Sequence, residues 1–351
     1  MFGLWSPLFL AAALAAPASP SWVHPLEVAS PAHPEVVYAS NGYIEVAHAL
    51  AKLPGHPNWL GEAQRLVSSV YAARPGLAEV DVTLYKASEY AGSDPAAPLP
   101  QFTASVPKSR LEAFEKLTPA TLSSFNRAWL NPGTEPPLPP FTPPKTRGHL
   151  LYQGELSSKT IALTFDDLPH PLYTPLLLDL LHREGVRATL FVIGRNALAY
   201  PYFVRDMVLE GHELGNHSYT HQRFLTLNLA TIQGEVLRTN AVLQRLSGQS
   251  IHLIRPPGGR LNSSISRELR DLGMDVVFWT DDPGDYLRFK PETLEARLET
   301  RFKPGAIVLL HDNVPETLET LPQFLRYVRA RGFSVGSVSA LFASPAPVHK
   351  P

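Results

Sequence analysis

The sequence predicts an α/β protein: a parallel (β/α)7-type barrel preceded by a small α+β domain. After Gly148, short apolar segments of strand character alternate regularly with helical segments. Before Pro132, helix and strand patterns are mixed, and seven prolines occupy the thirteen residues 132–144. A segment so rich in proline favours a semi-rigid spacer, so the chain divides there into two parts.

The composition narrows the classes of function. The 351 residues are 44% hydrophobic and 18% charged, enough for a sizeable core and two domains. The formal net charge of −1 gives no basic footprint for nucleic acid, so we expect no nucleic-acid partner. The chain contains no cysteine, which excludes disulfides, thiolate metal ligands and a cysteine nucleophile. Any metal must therefore be bound by imidazole and carboxylate groups.

Residues 1–20 have the character of a secretory signal peptide. The segment is apolar and rich in alanine, and Ala16 and Ala18 give a small-residue cleavage pattern, although a basic start is missing. An uncleaved anchor is the alternative, but the run is short for a membrane span and Pro7 interrupts it. We therefore expect a protein secreted or held in the cell envelope, without stable membrane insertion after export.

Residues 21–130 are predicted to form the small α+β domain, and residues 131–147 the proline-rich linker. A helix is expected from about Trp59 to Val70, because Ala63, Leu66 and Val67 continue its apolar face. Alternating segments around 80–84 and 102–106 indicate strands, and 111–117 a second helix. No cluster of carboxylates accompanies the histidines here, so this domain is assigned no chemistry and its role stays open.

Residues 148–345 carry the barrel pattern. The expected strands are 160–165, 188–193, 213–216, 251–255, 275–280, 306–311 and 333–338, and the expected helices are 175–183, 201–210, 229–246, 263–272, 291–302 and 315–331. Proline in the first turn and glycine after the last turn support several of these bounds. A doubly wound open sheet is the alternative that periodicity does not exclude.

Ionisable side chains follow five of these strands. They are Asp166 and Asp167, His217 and His221, Arg255, the group Asp281, Asp282 and Asp285, and finally His311 with Asp312. In a parallel barrel the carboxyl ends of all strands meet at one rim, where active sites of this architecture lie. Five such coincidences predict one shared site at that rim.

Asp166 and Asp167 end the first barrel strand, where neighbouring side chains point in different directions and can serve different tasks. His217 and His221 are four residues apart, a spacing that would place both on one face of a helical turn. One carboxylate and two imidazoles form a three-ligand metal site with an open position, as a hydrolytic zinc ion requires.

Five motifs in order also resemble a known family. They are Thr-Phe-Asp-Asp at 164–167, His-Ser-Tyr-Thr-His at 217–221, Arg-Pro-Pro-Gly-Gly at 255–259, Asp-Pro-Gly-Asp-Tyr at 282–286 and Leu-Leu-His at 309–311. Together they are similar to the motifs of polysaccharide deacetylases, the NodB-homology domain of carbohydrate esterase family 4. The resemblance covers residues 151–342 and implies a deformed barrel.

The resemblance also implies a divalent metal, zinc by preference, with cobalt, manganese or nickel as alternatives. Asp167, His217 and His221 would bind it. Asp166 would be the general base and His311 the general acid in removing acetyl groups from N-acetylated glycans. Arg255 and Asp285 would orient these two groups, and the backbone N–H of Gly258 would stabilise the oxyanion. The remaining barrel histidines, His170, His182, His212 and His252, are read as structural, and Asp281 and Asp312 as supporting groups at most.

The expected substrate is an N-acetylated polysaccharide or oligosaccharide, either peptidoglycan or a chitin-like glycan. The alternatives are an enzyme of this fold acting on O-acetyl esters, a metal-free enzyme acting on a cyclic amide, and a glycan-binding module that has lost turnover. The complete Asp167, His217 and His221 set argues against the metal-free version.

Overall fold

A computed structural model of the chain describes residues 23–55, 57–92, 98–133 and 148–343. The predicted signal peptide, residues 1–20, and all but residues 131–133 of the predicted linker lie outside these ranges. Within the described residues, no helix combines the length and the apolar character needed to cross a membrane.

The N-terminal unit is one mixed sheet with a long helix packed against it. Its strands follow the chain order and are β1 (Val23–Pro25), β2 (Glu35–Ser40), β3 (Glu45–Leu53), β4 (Glu79–Lys86), β5 (Phe102–Pro107) and β6 (Ala128–Leu130), with α1 (Trp59–Ala73) and α2 (Leu111–Glu115) between them. The β3–β4 pair is parallel and the other neighbours are antiparallel. Helix α1 is the crossover that a parallel pair requires.

Helix α1 starts where the sequence signals it. The side chain of Asn58 accepts a hydrogen bond from the N–H of Gly61 at 3.1 Å and so caps the first turn. Leu66, Val67 and Val70 are almost fully buried against the sheet, which gives this unit a core of its own. The predicted α+β character is confirmed.

The C-terminal unit is a curled sheet of eight parallel strands with helices outside it. The strands are β7 (Leu150–Leu151), β8 (Thr160–Leu168), β9 (Thr189–Val192), β10 (Glu213–Asn216), β11 (Leu253–Ile254), β12 (Asp275–Val277), β13 (Ile307–His311) and β14 (Ser334–Gly336). The helices are α3 (Thr174–Arg183), α4 (Gly194–Ala199), α5 (Pro201–Leu209), α6 (Leu229–Ser247), α7 (Ser263–Asp271), α8 (Pro291–Arg301), α9 (Pro315–Ala330) and α10 (Val338–Phe342). The predicted deformed barrel is confirmed.

The strand order is β13-β8-β9-β10-β11-β12-β7, and β14 pairs with the first residues of β8. The curl closes irregularly, because Asp281, just after β12, forms a parallel bridge to Val308 in β13. The N–H of Leu309 donates to the carbonyl of Asp281 at 2.9 Å. The carboxyl ends of β8, β10, β11 and β13 therefore surround one opening.

The two units share a buried interface that contains both apolar and polar side chains. Arg127 after β5 donates from Nη1 to both carboxylate oxygens of Asp206 in α5, at 2.9 and 2.7 Å, and from Nη2 to Glu79 at 3.2 Å. The hydroxyl of Thr103 donates to the carbonyl of Ala199 at 2.5 Å. Asp81 lies in the same layer, is fully buried, and its carboxylate oxygens have no hydrogen-bond partner among the described residues.

Candidate metal centre and active site

The side chains predicted for the site converge on one groove at the carboxyl end of the curled sheet. Five of the seven line a cavity of about 810 Å³: Asp166, Asp167, His217, His221 and His311. The other two, Arg255 and Asp285, are fully buried directly beneath this groove. A cavity of this size is in the usual range for a ligand site.

Asp167, His217 and His221 form a compact group of candidate metal ligands. One ligand atom from each lies within 4.8 Å of the others. The carboxylate Oδ1 of Asp167 is 3.1 Å from Nε2 of His221 and 3.5 Å from Nε2 of His217. A tetrahedral zinc ion with bonds of about 2.0–2.1 Å sets its ligand atoms about 3.3–3.4 Å apart, so these distances bracket the spacing required.

The hydrogen bonds around this group leave Oδ1 of Asp167 and Nε2 of His217 available to bind a metal ion. Oδ1 of Asp167 is buried and accepts no hydrogen bond from any described residue, whereas its Oδ2 accepts from the amide of Asn313 at 3.3 Å. Nδ1 of His217 lies 2.7 Å from the carbonyl oxygen of Arg255, which assigns the proton to Nδ1 and the lone pair to Nε2. The residues present therefore fit a divalent cation.

The electrostatics agree with a cation site. Burial alone would raise the pKa of the Asp167 carboxyl, but the nearby imidazoles of His217 and His221 hold it well below its usual range. The carboxylate is thus ionised and available as a ligand.

One sequence expectation about this group is wrong. His217 and His221 do not lie on a helical turn but on a loop that follows β10. Ser218 and His221 both have positive φ angles, 64° and 61°, so the loop reverses and brings the second imidazole back beside the first. A spacing of four residues is consistent with a helical turn and also with a reversing loop, and periodicity alone predicts the helical turn.

Three side chains that the sequence analysis missed hold this loop and its partner in place. Glu235 in α6 accepts hydrogen bonds from the N–H groups of Tyr219 and Thr220 at 2.8 and 2.7 Å. The side chain of Asn216 accepts from the N–H of Ser218 at 2.8 Å. Asn313, described above, holds Asp167. No spacing rule singles out these residues, because they act from a neighbouring helix, from the end of β10 and from the loop after β13.

Asp166 lies deeper than Asp167 and is paired with a buried guanidinium. Nη1 of Arg255 is 2.8 Å from Oδ1 of Asp166 and 2.8 Å from the hydroxyl of Thr164. Its Nε and Nη2 donate to the carbonyl groups of Val277 and Phe278, both at 3.2 Å. Arg255 is fully buried, so this dense set of acceptors compensates its desolvation.

His311 on the opposite side is paired with a buried carboxylate. Its Nδ1 is 2.8 Å from Oδ1 of Asp285, and Oδ2 of Asp285 accepts from the N–H of His311 and the hydroxyl of Thr317 at 2.7 and 2.8 Å. Burial alone would lower the pKa of His311, but Asp285, together with Asp166 and Asp167, raises it to about 9. The imidazole is therefore protonated at neutral pH.

The positive φ angle at the end of β8 falls on Asp167 and not on Leu168. Leu168 is the last residue of β8 and is fully buried, and the positive φ of 73° falls on Asp167 instead. Aspartate adopts this region more readily than most residues with a Cβ. Leu168 therefore has the extended backbone of a strand residue, which a side chain of its size adopts without strain.

Two other acidic groups near the rim do not reach the groove. Asp312 accepts from the N–H of His170 at 3.0 Å and from the hydroxyl of Thr174 at 2.5 Å, so it fixes the loop that follows β8. Asp281 is fully buried and its carboxylate oxygens have no partner among the described residues. His170 is buried as well, and desolvation lowers its pKa to about 3.

Comparison with known proteins identifies the family. A model of the polysaccharide deacetylase family matches residues 153–277. A peptidoglycan-N-acetylglucosamine deacetylase of Bacillus cereus (strain ATCC 14579) is 32% identical over 199 residues, which are 55% of this chain and 93% of the relative. The chain belongs to the polysaccharide deacetylase family.

Other members of this family show the same extent of similarity. A chitooligosaccharide deacetylase of Sinorhizobium fredii (strain NBRC 101917 / NGR234) is 31% identical over 193 residues, 51% of this chain and 90% of the relative. The crystal structure of the Bc1960 peptidoglycan N-acetylglucosamine deacetylase superposes with a TM-score of 0.54 at 26% identity and covers 56% of this chain and 92% of its own. As a polysaccharide deacetylase, the protein is a hydrolase of non-peptide carbon–nitrogen bonds.

Proposed function

We propose that this polysaccharide deacetylase removes acetyl groups from an N-acetylated glycan, peptidoglycan or chitin-like, with the help of a divalent metal held by Asp167, His217 and His221. The observation that carries the proposal is Oδ1 of Asp167, which accepts no hydrogen bond from a described residue and lies 3.1 and 3.5 Å from the two Nε2 atoms. Zinc suits this oxygen and nitrogen set, and cobalt, manganese or nickel would also be accepted.

A divalent ion at this site supplies Lewis acidity and lowers the pKa of water. Asp166 is the general base in this proposal. Its Oδ2 lies 3.7 Å from Nε2 of His217, so the carboxylate faces the ligand group without belonging to it. Arg255 holds the other oxygen, Oδ1, at 2.8 Å, which keeps the free oxygen oriented toward the attacking water.

His311 is the general acid that gives a proton to the leaving amine nitrogen. It lines the groove together with Asp166, and Asp285 fixes its ring through Nδ1. Nε2 is therefore the atom that faces the substrate. An amine leaves readily only when it is protonated, so the raised pKa of about 9 for His311 suits this task. The backbone N–H of Gly258, which also lines the groove, is the candidate donor to the oxyanion.

The proposal is tested by metal content and acetate release together. We expect the purified protein to bind about one divalent ion per chain and to release acetate from acetylated chito-oligosaccharide or peptidoglycan strands. A chelator should abolish release, and adding zinc back should restore it. Acetate release that persists after complete removal of the metal would contradict the metal-dependent mechanism.

Hydrolysis of O-acetyl esters by the same residues is the second candidate. An alkoxide is a better leaving group than an amide anion, so ester cleavage depends less on an acid. Substitution of His311 by alanine should therefore reduce N-acetyl turnover far more than O-acetyl turnover. A glycan-binding module without turnover would instead bind oligosaccharide and release no acetate under any metal loading.

We also propose that the enzyme acts outside the cytoplasm, in the envelope or after secretion. The support is the apolar segment from Met1 to Pro20, together with the polymeric substrate class. Expression of the full chain followed by fractionation and determination of the mature N-terminus tests this. An intact Met1 on a cytoplasmic protein would contradict it.

A further inference from the structure

The walls of the groove carry two arginines that the proposed reaction does not use. Arg223 follows the loop of the imidazole ligands and Arg260 follows β11, and both side chains are exposed and line the groove. Neither guanidinium has a hydrogen bond or ion pair with any residue that the structure describes. Arg288, which lines the same groove, is paired with Glu316 at 3.3 Å and donates to the carbonyl of Asn313 at 2.8 Å.

The carboxylates of the groove do not neutralise these two arginines. Asp166 is paired with Arg255, and Asp167 belongs to the candidate metal site. Asp282 accepts from the N–H of Gly284 at 2.9 Å and from the hydroxyl of Tyr286 at 3.4 Å. None of these carboxylates forms an ion pair with Arg223 or Arg260 in the part of the chain that the structure describes.

The backbone at Gly258, which lines the groove, leaves room for a ligand group beside Arg223. Gly258 has a φ angle of 72°, and a Cβ placed there would meet one described atom within 4 Å, Nε of Arg223 at 3.7 Å. The space beside Arg223 at residue 258 is thus open, because glycine has no side chain to fill it. Guanidinium groups bind carboxylates in a bidentate manner, which gives both affinity and orientation.

We infer that Arg223 and Arg260 form a carboxylate-binding site in the groove, so that this enzyme prefers N-acetylated glycans that carry an anionic substituent. The inference rests on the proposed function and adds the substrate class. The carboxylate can belong to a substituent of the sugar itself or to a peptide attached to it, and a neutral chitin-like chain offers neither.

Matched oligosaccharides of equal length test the preference through acetate release at saturating metal. The first is neutral, the second carries a lactyl carboxylate on alternate sugars, the third has that carboxylate converted to its amide, and the fourth carries a peptide on it. We expect kcat/KM to be about tenfold higher for the second substrate than for the third. The advantage should shrink as salt is raised, because exposed charges are screened. If the fourth substrate exceeds the second, the peptide is the source of the anion.

The double substitution R223Q/R260Q should reduce the ratio of kcat/KM between the carboxylated and amidated substrates about tenfold, mainly through KM. Metal content and thermal unfolding should be unchanged, which separates loss of recognition from loss of structure. The control is Arg326→Gln, since Arg326 is an exposed arginine on α9 away from the groove, and this variant should leave the ratio unchanged.

Equal rates on the carboxylated and amidated substrates, or a ratio that survives the double substitution, would overturn the inference. No acetate from any of the four substrates would instead overturn the proposed function.

Discussion

Nη1 of Arg255 lies 2.8 Å from Oδ1 of Asp166, and both side chains are buried at the floor of the groove. This contact places a fixed positive charge beside one of two adjacent aspartates. Asp167, its neighbour, instead faces the two imidazoles. Two identical side chains in sequence thus receive different partners, and on the proposed function they perform different tasks.

Replacing Asp166 by asparagine separates these tasks. Asp166→Asn should keep close to one metal ion per chain, because Asp166 is not among the ligand atoms, but should lose about 10²- to 10⁴-fold in kcat, the usual contribution of a general base. Elemental analysis and acetate release measure the two effects. Wild-type turnover in Asp166→Asn would show that the base is assigned wrongly.

Replacing His217 by alanine should abolish both properties. The change removes one of three protein ligands, and we expect metal content after dialysis and turnover to fall together. His182→Ala is a suitable control, since His182 is an exposed histidine on α3 and should retain both. Full metal occupancy in His217→Ala would place the ion elsewhere.

Asp285 should determine the alkaline limit of activity. Its hydrogen bond and charge help to raise the pKa of His311 to about 9, so the wild-type imidazolium persists until the pH exceeds that value. Asp285→Asn removes the negative charge, which lowers this pKa, and the alkaline fall in kcat should move to lower pH. Thr317→Val, which removes one hydrogen bond to Asp285 but no charge, should move it much less. An unchanged pH profile in Asp285→Asn would exclude His311 as the acid.

The buried interface between the two units should make stability depend on pH. Desolvation raises the pKa of Asp81 well above its usual value, with the nearby Glu79 adding to this effect. A carboxyl whose pKa is raised in the folded state stabilises the fold at pH values below its unfolded-state pKa of about 3.9. This stabilisation is lost as the pH rises toward the folded-state pKa, by up to about 1.4 kcal/mol per pH unit.

Asp81→Asn removes this titrating group while retaining its shape. The variant should unfold at a higher temperature than the wild type near neutral pH, and its unfolding temperature should change less between pH 4 and 7. Thermal unfolding followed by circular dichroism across this range measures both effects. The expected ionisation of Asp81 would be contradicted if the stability of the wild type rose from pH 4 to 7 and that of Asp81→Asn rose equally.

Much of the fold follows from local patterns. The helices from α5 to α9 lie within one or two residues of their predicted bounds, because an apolar face repeats along each and proline or glycine marks several ends. The short helices α4 and α10 were missed, since six and five residues are too few to show a period. Strands β2 and β3 were missed too, and β3 is rich in alanine, which has no strand preference.

The sequence alone determined which ionisable side chains end which strands, and hence that aspartates, histidines and an arginine would meet at one rim. This follows because parallel strands all end on the same side of a sheet. Only the tertiary structure decided which atoms are free to act. Asn313 holds Oδ2 of Asp167, Oδ1 accepts no hydrogen bond from a described residue, and the loop of His221 is held by Glu235 from α6. Such contacts join residues distant in the chain, and no local period records them.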